Sequence, residues 1–173
     1  MHFLQDKPKY LYRYTSIENL ALILKRREIR LARLDKVDDL LESRSIDAIN
    51  YGQYVFVTCW TDLAEESVPF WHMYTPNLRG VRIKMPLAMF TGHHISDRPE
   101  MRLTTDGHDN WALPYERMYG ENYLAMPEGA NNFFKIEYVD DALLINRQLY
   151  GRKSDGSHSV RLGELGRYKS TQF

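Results

Sequence analysis

The sequence has little cysteine and no long apolar run, and both absences limit what the protein can be. Cys59 is the only cysteine in 173 residues, so an internal disulfide is excluded and a reducing compartment is expected. No segment approaches the roughly 18 uninterrupted apolar residues that suggest a membrane helix. The N-terminal residues lack the apolar region of a secretory signal. We therefore expect a cytoplasmic protein with no membrane partner.

Several nucleotide-binding and catalytic motifs are also absent. The sequence contains no phosphate-binding loop, no Gly-x-Gly-x-x-Gly turn, no Gly-x-Ser-x-Gly elbow and no His-Glu-x-x-His helix. P-loop ATPases, α/β-hydrolases and zincins are thereby disfavoured. The scattered His and Asp residues between Thr91 and Gly129 do not have the spacing of a metal site, so we predict no metal.

The charges balance over the whole chain but not within it. Lys plus Arg and Asp plus Glu both number 23, which gives no general indication of a polyanionic partner. From Arg147 to Phe173 the net charge is +4, because six basic residues stand against Asp155 and Glu164. This segment is either a solvated surface or a contact for phosphates, so nucleic acid remains open as a partner. The basic residues are Arg147, Arg152, Lys153, Arg161, Arg167 and Lys169.

The segment Lys9 to Glu42 is the most informative part of the sequence. Tyrosines alternate with other residues from Tyr10 to Tyr14, which is typical of a β-strand. Ser16 is a suitable N-cap for a helix with one apolar stripe, and a second strand is expected over Glu28–Leu34. Arg13 is thus predicted to lie where a strand ends and a helix begins, a place that suits an anionic ligand.

The remaining elements are short. A helix is expected over about Leu40–Asn50, and the β-branched and aromatic run Tyr54–Trp60 predicts a strand buried on both faces, with Cys59 in the core. A helix over Glu65–Tyr74 and a strand over Val81–Met85 follow.

The C-terminal part gives a similar pattern of short elements. The sequence predicts a strand over Phe133–Tyr138 with Phe134 and Tyr138 inward, and a helix capped by Asp140 or Asp141. Gly151–Ser159 is predicted to be a polar loop. The fold class is therefore α+β, with small mixed or antiparallel sheets and flanking helices, in a single domain over residues 1–173.

Several of these segments resemble the bacterial family catalogued as domain of unknown function 2971. The likeness covers about Tyr10–Met85 and, more weakly, Phe133–Phe173, and a Trp-x-x-Tyr helix followed by a glycine-led strand is its most specific part. The acidic turn Asp39–Glu42 departs from the family, which usually has proline and an aromatic residue there. The segments that carry the resemblance are Leu11–Ser16, Glu28–Ala32, Asp38–Glu42, Val57–Trp60, Phe70–Tyr74 and Arg79–Ile83.

That family more distantly resembles ADP-ribosyltransferases, which bind NAD in a cleft between two small sheets. The resemblance implies that Arg13 contacts the dinucleotide phosphates and that Thr58, with Thr61 as a further candidate, lies beside the nicotinamide ribose. Trp71 or a tyrosine of the first strand is expected to stack on a base. The NAD-binding residues implied in this way are Arg13, Tyr14, Thr15, Thr58, Trp71 and His72.

A transferase of this kind also needs a glutamate, and two functions stay open because none can be assigned. The family places a Trp-x-x-Glu-x-Glu-x-Arg segment after a lysine that Lys169 matches, and the 173 residues end before it. The chain is then either truncated at its C-terminal end or naturally without that glutamate. One hypothesis is an NAD-dependent ADP-ribosyltransferase-like toxin or phage-defence effector. The alternative is a non-catalytic module that binds a nucleotide, another small anion or a protein.

Overall fold

The computed structural model describes residues 7–37, 43–94, 113–120 and 133–171. Short strands and short helices follow one another along these ranges, so the protein is of the α+β class, as predicted. In chain order the elements are β1 (Tyr10–Thr15), α1 (Ile17–Arg26), β2 (Ala32–Arg33), β3 (Phe56–Val57), α2 (Val68–Tyr74), β4 (Val81–Pro86), α3 (Tyr115–Gly120), β5 (Glu137–Val139), α4 (Ala142–Ile145), β6 (Tyr150–Arg152), β7 (His158–Val160) and β8 (Tyr168–Ser170).

The strands of the described ranges form small two-stranded sheets. β1 pairs with β4, β2 pairs with β3 in antiparallel fashion, and β6 does the same with β7. β5 and β8 form a parallel pair in which Tyr138 is opposite Lys169. The prediction of small mixed or antiparallel sheets is confirmed. No helix in the described part of the chain is long and apolar enough to cross a bilayer.

The chain divides into two compact units, Met1–Leu11 with Lys84–Phe133 and Tyr12–Ile83 with Phe134–Phe173. In the first unit, the Lys84 ammonium lies 4.2 Å from the ring centroid of Tyr10. The rings of Phe90 and Phe133 stack there with centroids 6.2 Å apart. That residues 1–173 form a single domain stays a prediction.

The second unit contains a small hydrophobic core around Leu34. Leu34 and Leu149 are fully buried, and Tyr51 and Leu165 pack with them. Leu34 lies just after β2, and its backbone N–H donates to the carbonyl of Val55 at 2.8 Å. The core therefore ties the first third of the chain to its last quarter. Val37, Val55, Val57 and Leu162 pack against the edge of this cluster.

The first strand and helix are found where the sequence predicts them. Ser16 caps α1, because its side-chain oxygen accepts a hydrogen bond from the backbone N–H of Asn19 at 3.2 Å. The apolar stripe of α1 is not covered within the described ranges, since Leu24 is 68% exposed and no residue of the helix is buried. Within the described ranges, α1 is therefore supported by its N-cap and by the preceding strand and not by burial of its apolar stripe.

Three predicted elements are wrong or displaced. The second strand, expected over Glu28–Leu34, is reduced to β2. The strand expected over Tyr54–Trp60 is reduced to β3, and its faces are not both buried, since Phe56 is 55% exposed and Cys59 is exposed. The reason is that, among the described residues, β3 has one strand neighbour, β2, so it is not central there. Residues 43–50 form bends and turns instead of the end of a helix, and residues 38–42 lie outside the described ranges.

In the C-terminal part, the predicted helix cap is confirmed, but the predicted strand and loop are wrong in part. Asp141 caps α4 as expected, with its carboxylate accepting from the N–H of Leu143 at 2.8 Å. β5 begins at Glu137, later than predicted, and Tyr138 is exposed instead of inward. The expected polar loop Gly151–Ser159 is in fact a ribbon made by β6 and β7.

We predict that Leu34→Ala lowers the free energy of unfolding by about 2–5 kcal/mol, because it leaves a cavity in the core. Urea denaturation measures this change. Leu24→Ala is the matched control and should change the stability by less than about 0.5 kcal/mol, because that side chain is exposed. Equal effects of the two substitutions would contradict the described core.

We predict a pH-dependent contribution from Asp35, whose carboxylate accepts from Arg33 at 2.7 Å and from Asn50 at 3.3 Å. The Arg33 hydrogen bond is the main cause that lowers the pKa of Asp35 in the folded protein. The group therefore stabilises the fold above its unfolded pKa of about 3.9, and this contribution is lost as the pH falls through the lower folded value. Asp35→Asn should be less stable than the parent at neutral pH, with a difference in urea midpoint that shrinks in acid. A pH-independent difference would contradict this role.

Candidate functional site

The site is built where the segment after β3 runs beside β1. Tyr12 and Thr61 form an antiparallel bridge, with N–O distances of 2.8 and 2.9 Å in the two directions. This register places Trp60 opposite Arg13. β1 therefore has β4 as one neighbour and the 58–61 segment as another.

Arg13 contacts two residues of that segment. Its Nη1 donates a hydrogen bond to the hydroxyl of Thr58, and its guanidinium carbon lies 6.0 Å from the ring centroid of Trp60. Arg13 and Thr58 are 45 residues apart in the chain, so their meeting depends on the fold. The cluster of Arg13, Thr58 and Trp60 is called the Arg13 site below.

The guanidinium of Arg13 is partly buried. Burial lowers the pKa of the Arg13 guanidinium from its ordinary value, while Cys59 and Tyr74 act in the opposite direction. Arginine remains protonated in proteins at neutral pH, so the group is a cation. Within the described ranges no Asp or Glu forms an ion pair with it. The site thus carries a positive charge whose burial an anion would offset.

The Arg13 site also holds a donor without an acceptor. The indole Nε1 of Trp60 is buried and has no hydrogen-bond partner among the described residues. An unsatisfied buried donor costs about 1–3 kcal/mol. Among the described residues, the site therefore offers a buried N–H donor and a cation to a ligand that accepts hydrogen bonds and carries negative charge.

Tyr14 and Trp71 form a different cluster. Tyr14 is buried, and its ring meets those of Trp71 and Phe70 edge-on at 4.9 and 5.7 Å between centroids. Its hydroxyl accepts a hydrogen bond from the N–H of Ser67 at 2.9 Å. The indole N–H of Trp71 donates to Glu66 at 3.3 Å. These contacts attach α2 to β1, and both rings contribute to packing.

Arg82 on β4 is a structural residue that the sequence did not single out. One of its terminal nitrogens donates to the carbonyls of Leu63 and Ala64 at 2.8 and 2.7 Å. Its guanidinium carbon lies 4.0 Å from the ring centroid of Tyr12, which is a cation–π contact. Arg82 therefore fixes the loop that follows the 58–61 segment. The available signal was the alternation of basic residues on β4 beside the alternating tyrosines of β1.

Gly80 allows a close approach between β1 and the residues before β4. A Cβ atom built at Gly80 would lie 2.5 Å from the carbonyl oxygen of Thr15 and would collide with the side chain of Thr75. Thr75 and Thr15 are both buried, and the Thr75 hydroxyl donates to the Trp71 carbonyl at 2.5 Å. The end of β1 is thus packed without room for a further methyl group.

The residues predicted to bind NAD occupy different environments. Arg13 and Thr58 are brought together, and Tyr14 and Trp71 form their own packed pair. Because successive side chains of a strand point to opposite faces, Arg13 and Tyr14 face away from each other. Thr15 is buried beside Gly80, and His72 is exposed on α2. The assignment of all six to a cofactor stays a prediction.

The first turn of α1 carries its own acceptors. Ser16 accepts from Asn19, and hydrogen bonds to its own backbone N–H and to Ser16 lower the pKa of Glu18. A carboxylate at this end already interacts favourably with the helix dipole. The guanidinium of Arg13, more than the N-terminus of α1, is therefore the group that can attract an anion here.

A separate open cavity of about 420 Å³ lies between Asp35 and the 43–50 segment. Its lining includes Arg44, Asp47 and Asn50, but none of the residues of the Arg13 site. Asp47 accepts from the N–H of Leu149 at 2.8 Å, which gives this carboxylate a structural role. Within the described ranges no three His, Cys, Asp or Glu side chains are grouped as metal ligands, and the prediction of no metal stays a prediction.

No family model, curated protein or solved structure matches the chain. The resemblance to the family of unknown function and to ADP-ribosyltransferases therefore stays a prediction from the sequence segments that carry it.

We predict that Gly80→Ala destabilises the protein by about 1–3 kcal/mol, the usual cost of forcing an atom into a packed site. Thermal or urea unfolding measures the change. Gly151→Ala is the matched control, because a Cβ there meets nothing within 4 Å. A loss of stability confined to the control would show that the close approach at Gly80 is misassigned.

Proposed function

We propose that this protein binds an anionic nucleotide at the Arg13 site and that NAD, or the ADP-ribose portion of it, is the ligand. The observation that carries the proposal is the partly buried guanidinium of Arg13, which contacts Thr58 and has no carboxylate partner within the described ranges. A diphosphate supplies the negative charge that this environment lacks.

The chemistry of the Arg13 site fits a phosphate better than a neutral ligand. A guanidinium presents five donors in a planar fork, and one of them is used by Thr58. The remaining donors can pair with two phosphate oxygens, which is the strong bidentate arrangement. The ring of Trp60 beside the cation provides a flat apolar surface next to the charge. A nucleotide offers both an anion and a flat base.

Transfer of ADP-ribose is the extension of this proposal that the sequence resemblance suggests. Such an enzyme, as a toxin or phage-defence effector, requires a glutamate that stabilises positive charge on the ribose in the transition state. Glu137 is paired with Arg167 at 2.8 Å, and Glu66 accepts from Trp71. We assign neither as catalytic. A nucleotide-binding module without catalysis is the second candidate, because no glutamate of the described residues is assigned a catalytic role.

Calorimetric titration with NAD and with ADP-ribose tests the proposal. We predict that Arg13→Ala weakens binding by about 10- to 100-fold, because a hydrogen bond to a charged group contributes about 1.5–3 kcal/mol. Arg13→Lys should recover part of the affinity, since it keeps the charge but not the planar fork. Arg30→Ala removes an exposed arginine and is the control that should leave binding unchanged.

Two results would count against the proposal. The first is unchanged nucleotide affinity in Arg13→Ala when circular dichroism shows an intact fold. The second is an equal loss in the Arg30→Ala control, which would indicate a general effect of charge. Incubation with labelled NAD and a protein or nucleic-acid acceptor then separates a transferase, which leaves label on the acceptor, from a module that binds without transfer.

A further inference from the structure

The β6–β7 ribbon presents an exposed face that combines aromatic and basic side chains. Cross-strand pairing places Tyr150 opposite Val160 and Arg152 opposite His158. Because alternate residues of a strand share a face, these four side chains lie on the same side of the ribbon. All four are exposed, and Tyr150 retains 41% of its accessible surface. This set is called the ribbon face below.

An aromatic stack forms the centre of the ribbon face. The rings of Tyr150 and His158 are nearly parallel, with an interplanar angle of 14° and centroids 5.2 Å apart. The Tyr150 hydroxyl and His158 Nδ1 share a hydrogen bond of 2.6 Å. The two rings are therefore stacked on each other and joined by a hydrogen bond at the surface, and this pair is called the platform below. A nucleic-acid base can stack on such a platform whatever its identity.

The backbone that carries the platform is held by the core and by Asp47. Leu149, the residue before Tyr150, is fully buried in the core, and its N–H donates to the Asp47 carboxylate at 2.8 Å. The N–H of Tyr150 lies 3.4 Å from the same oxygen. The backbone that carries the exposed ring is thus fixed before any ligand arrives, which reduces the entropy cost of binding.

Basic side chains flank the platform. Arg152 lies on the ribbon face, where its Nε donates to the carbonyl of Gly156 at 3.3 Å, and Lys153 follows it at the start of the turn. Both side chains are exposed. The one acidic residue of the turn, Asp155, accepts from the N–H and hydroxyl of Ser157 at 2.8 and 2.6 Å. Its carboxylate is thereby directed to the turn itself. Arg161 donates to the carbonyl of Gln148 at 2.9 Å and Arg167 is paired with Glu137, so neither belongs to this group.

From this arrangement we infer that the ribbon face binds single-stranded nucleic acid. A base stacks on the Tyr150–His158 pair, while Arg152 and Lys153 contact the phosphates. A single strand fits better than a duplex, because only unstacked bases can expose a face to the aromatic platform. The inference uses none of the residues of the Arg13 site and does not depend on the function proposed for it.

Fluorescence anisotropy with labelled oligo-dT and oligo-rU of about 12 nucleotides tests this inference, since single-strand sites span about 4–16 nucleotides per domain. Tyr150→Ala should weaken binding by roughly 5- to 150-fold, the usual effect of losing one stacking ring. Tyr150→Phe keeps the ring and should retain most of the affinity. Tyr54→Ala removes an exposed tyrosine elsewhere and should leave affinity unchanged.

The phosphate contacts have their own test in the salt dependence. Removing both Arg152 and Lys153 by alanine substitution should reduce the slope of log affinity against log salt by about 1.4, because each phosphate contact on a single strand contributes about 0.7. Alanine at Lys25 and Arg26, two exposed residues of α1, removes the same charge and should leave the slope unchanged.

Three outcomes would overturn the inference. One is the absence of oligonucleotide binding at low salt by the folded protein. Another is binding that Tyr150→Ala does not weaken, which would identify a general polyanion surface instead of a stacking site. The third is equal binding of polyglutamate with the same dependence on Tyr150, which would identify an acidic protein segment as the partner. Unchanged oligonucleotide binding in Arg13→Ala supports a site separate from the nucleotide site.

Discussion

The contact between Arg13 and Thr58 is the interaction on which the proposed nucleotide function depends. It links β1 to a segment 45 residues away, in the region where Tyr12 and Thr61 bridge their backbones. The register of that bridge brings Trp60 to the same place, with an indole N–H that has no acceptor among the residues the structure describes. A cation, an aromatic surface and this donor are thus assembled by backbone pairing. Side-chain attraction alone would not favour such a group, because burying a charge away from water is costly.

The Arg13 site and the ribbon face would bind anions in different ways. At the Arg13 site a partly buried cation gains from a compact anion, since reduced contact with water strengthens its electrostatic interactions. On the ribbon face the cations are exposed, so their effect is screened by salt and the stacked rings of Tyr150 and His158 must supply salt-independent affinity. The two proposed binding activities should therefore differ in their dependence on salt.

Local sequence patterns predicted the elements that depend on nearby residues. The alternating tyrosines of β1, the Ser16 cap and the Asp141 cap each involve contacts within a few positions of the chain. The prediction of a strand over Tyr54–Trp60 was wrong, because the composition indicates burial but cannot show that β3 has one strand neighbour in the described part of the chain. The β6–β7 ribbon was missed although Asp155-Gly156 is a turn dipeptide, and Gly156 does adopt a positive φ of 83°.

The candidate site shows the same division between local and long-range information. Arg13 could be singled out from its position before a helix cap, but its true neighbours, Thr58 and Trp60, follow from strand register. The role of Arg82 in holding the loop after Thr61 also depends on which strands pair. The sequence predicts Tyr14 and Trp71 as aromatic residues for base stacking. Their edge-to-face contact packs α2 on β1, and a role in base stacking stays a prediction.

The most direct test is nuclear magnetic resonance of the arginine side chains during titration with NAD. The Arg13 Nε–H and guanidinium signals should shift in a saturable manner and show slower exchange with water, because phosphate oxygens would occupy the donors that Thr58 leaves open. The signals of Arg30, which is exposed, should not change. If the Arg13 signals stay unchanged at NAD concentrations that saturate the protein, the Arg13 site is not where the nucleotide binds.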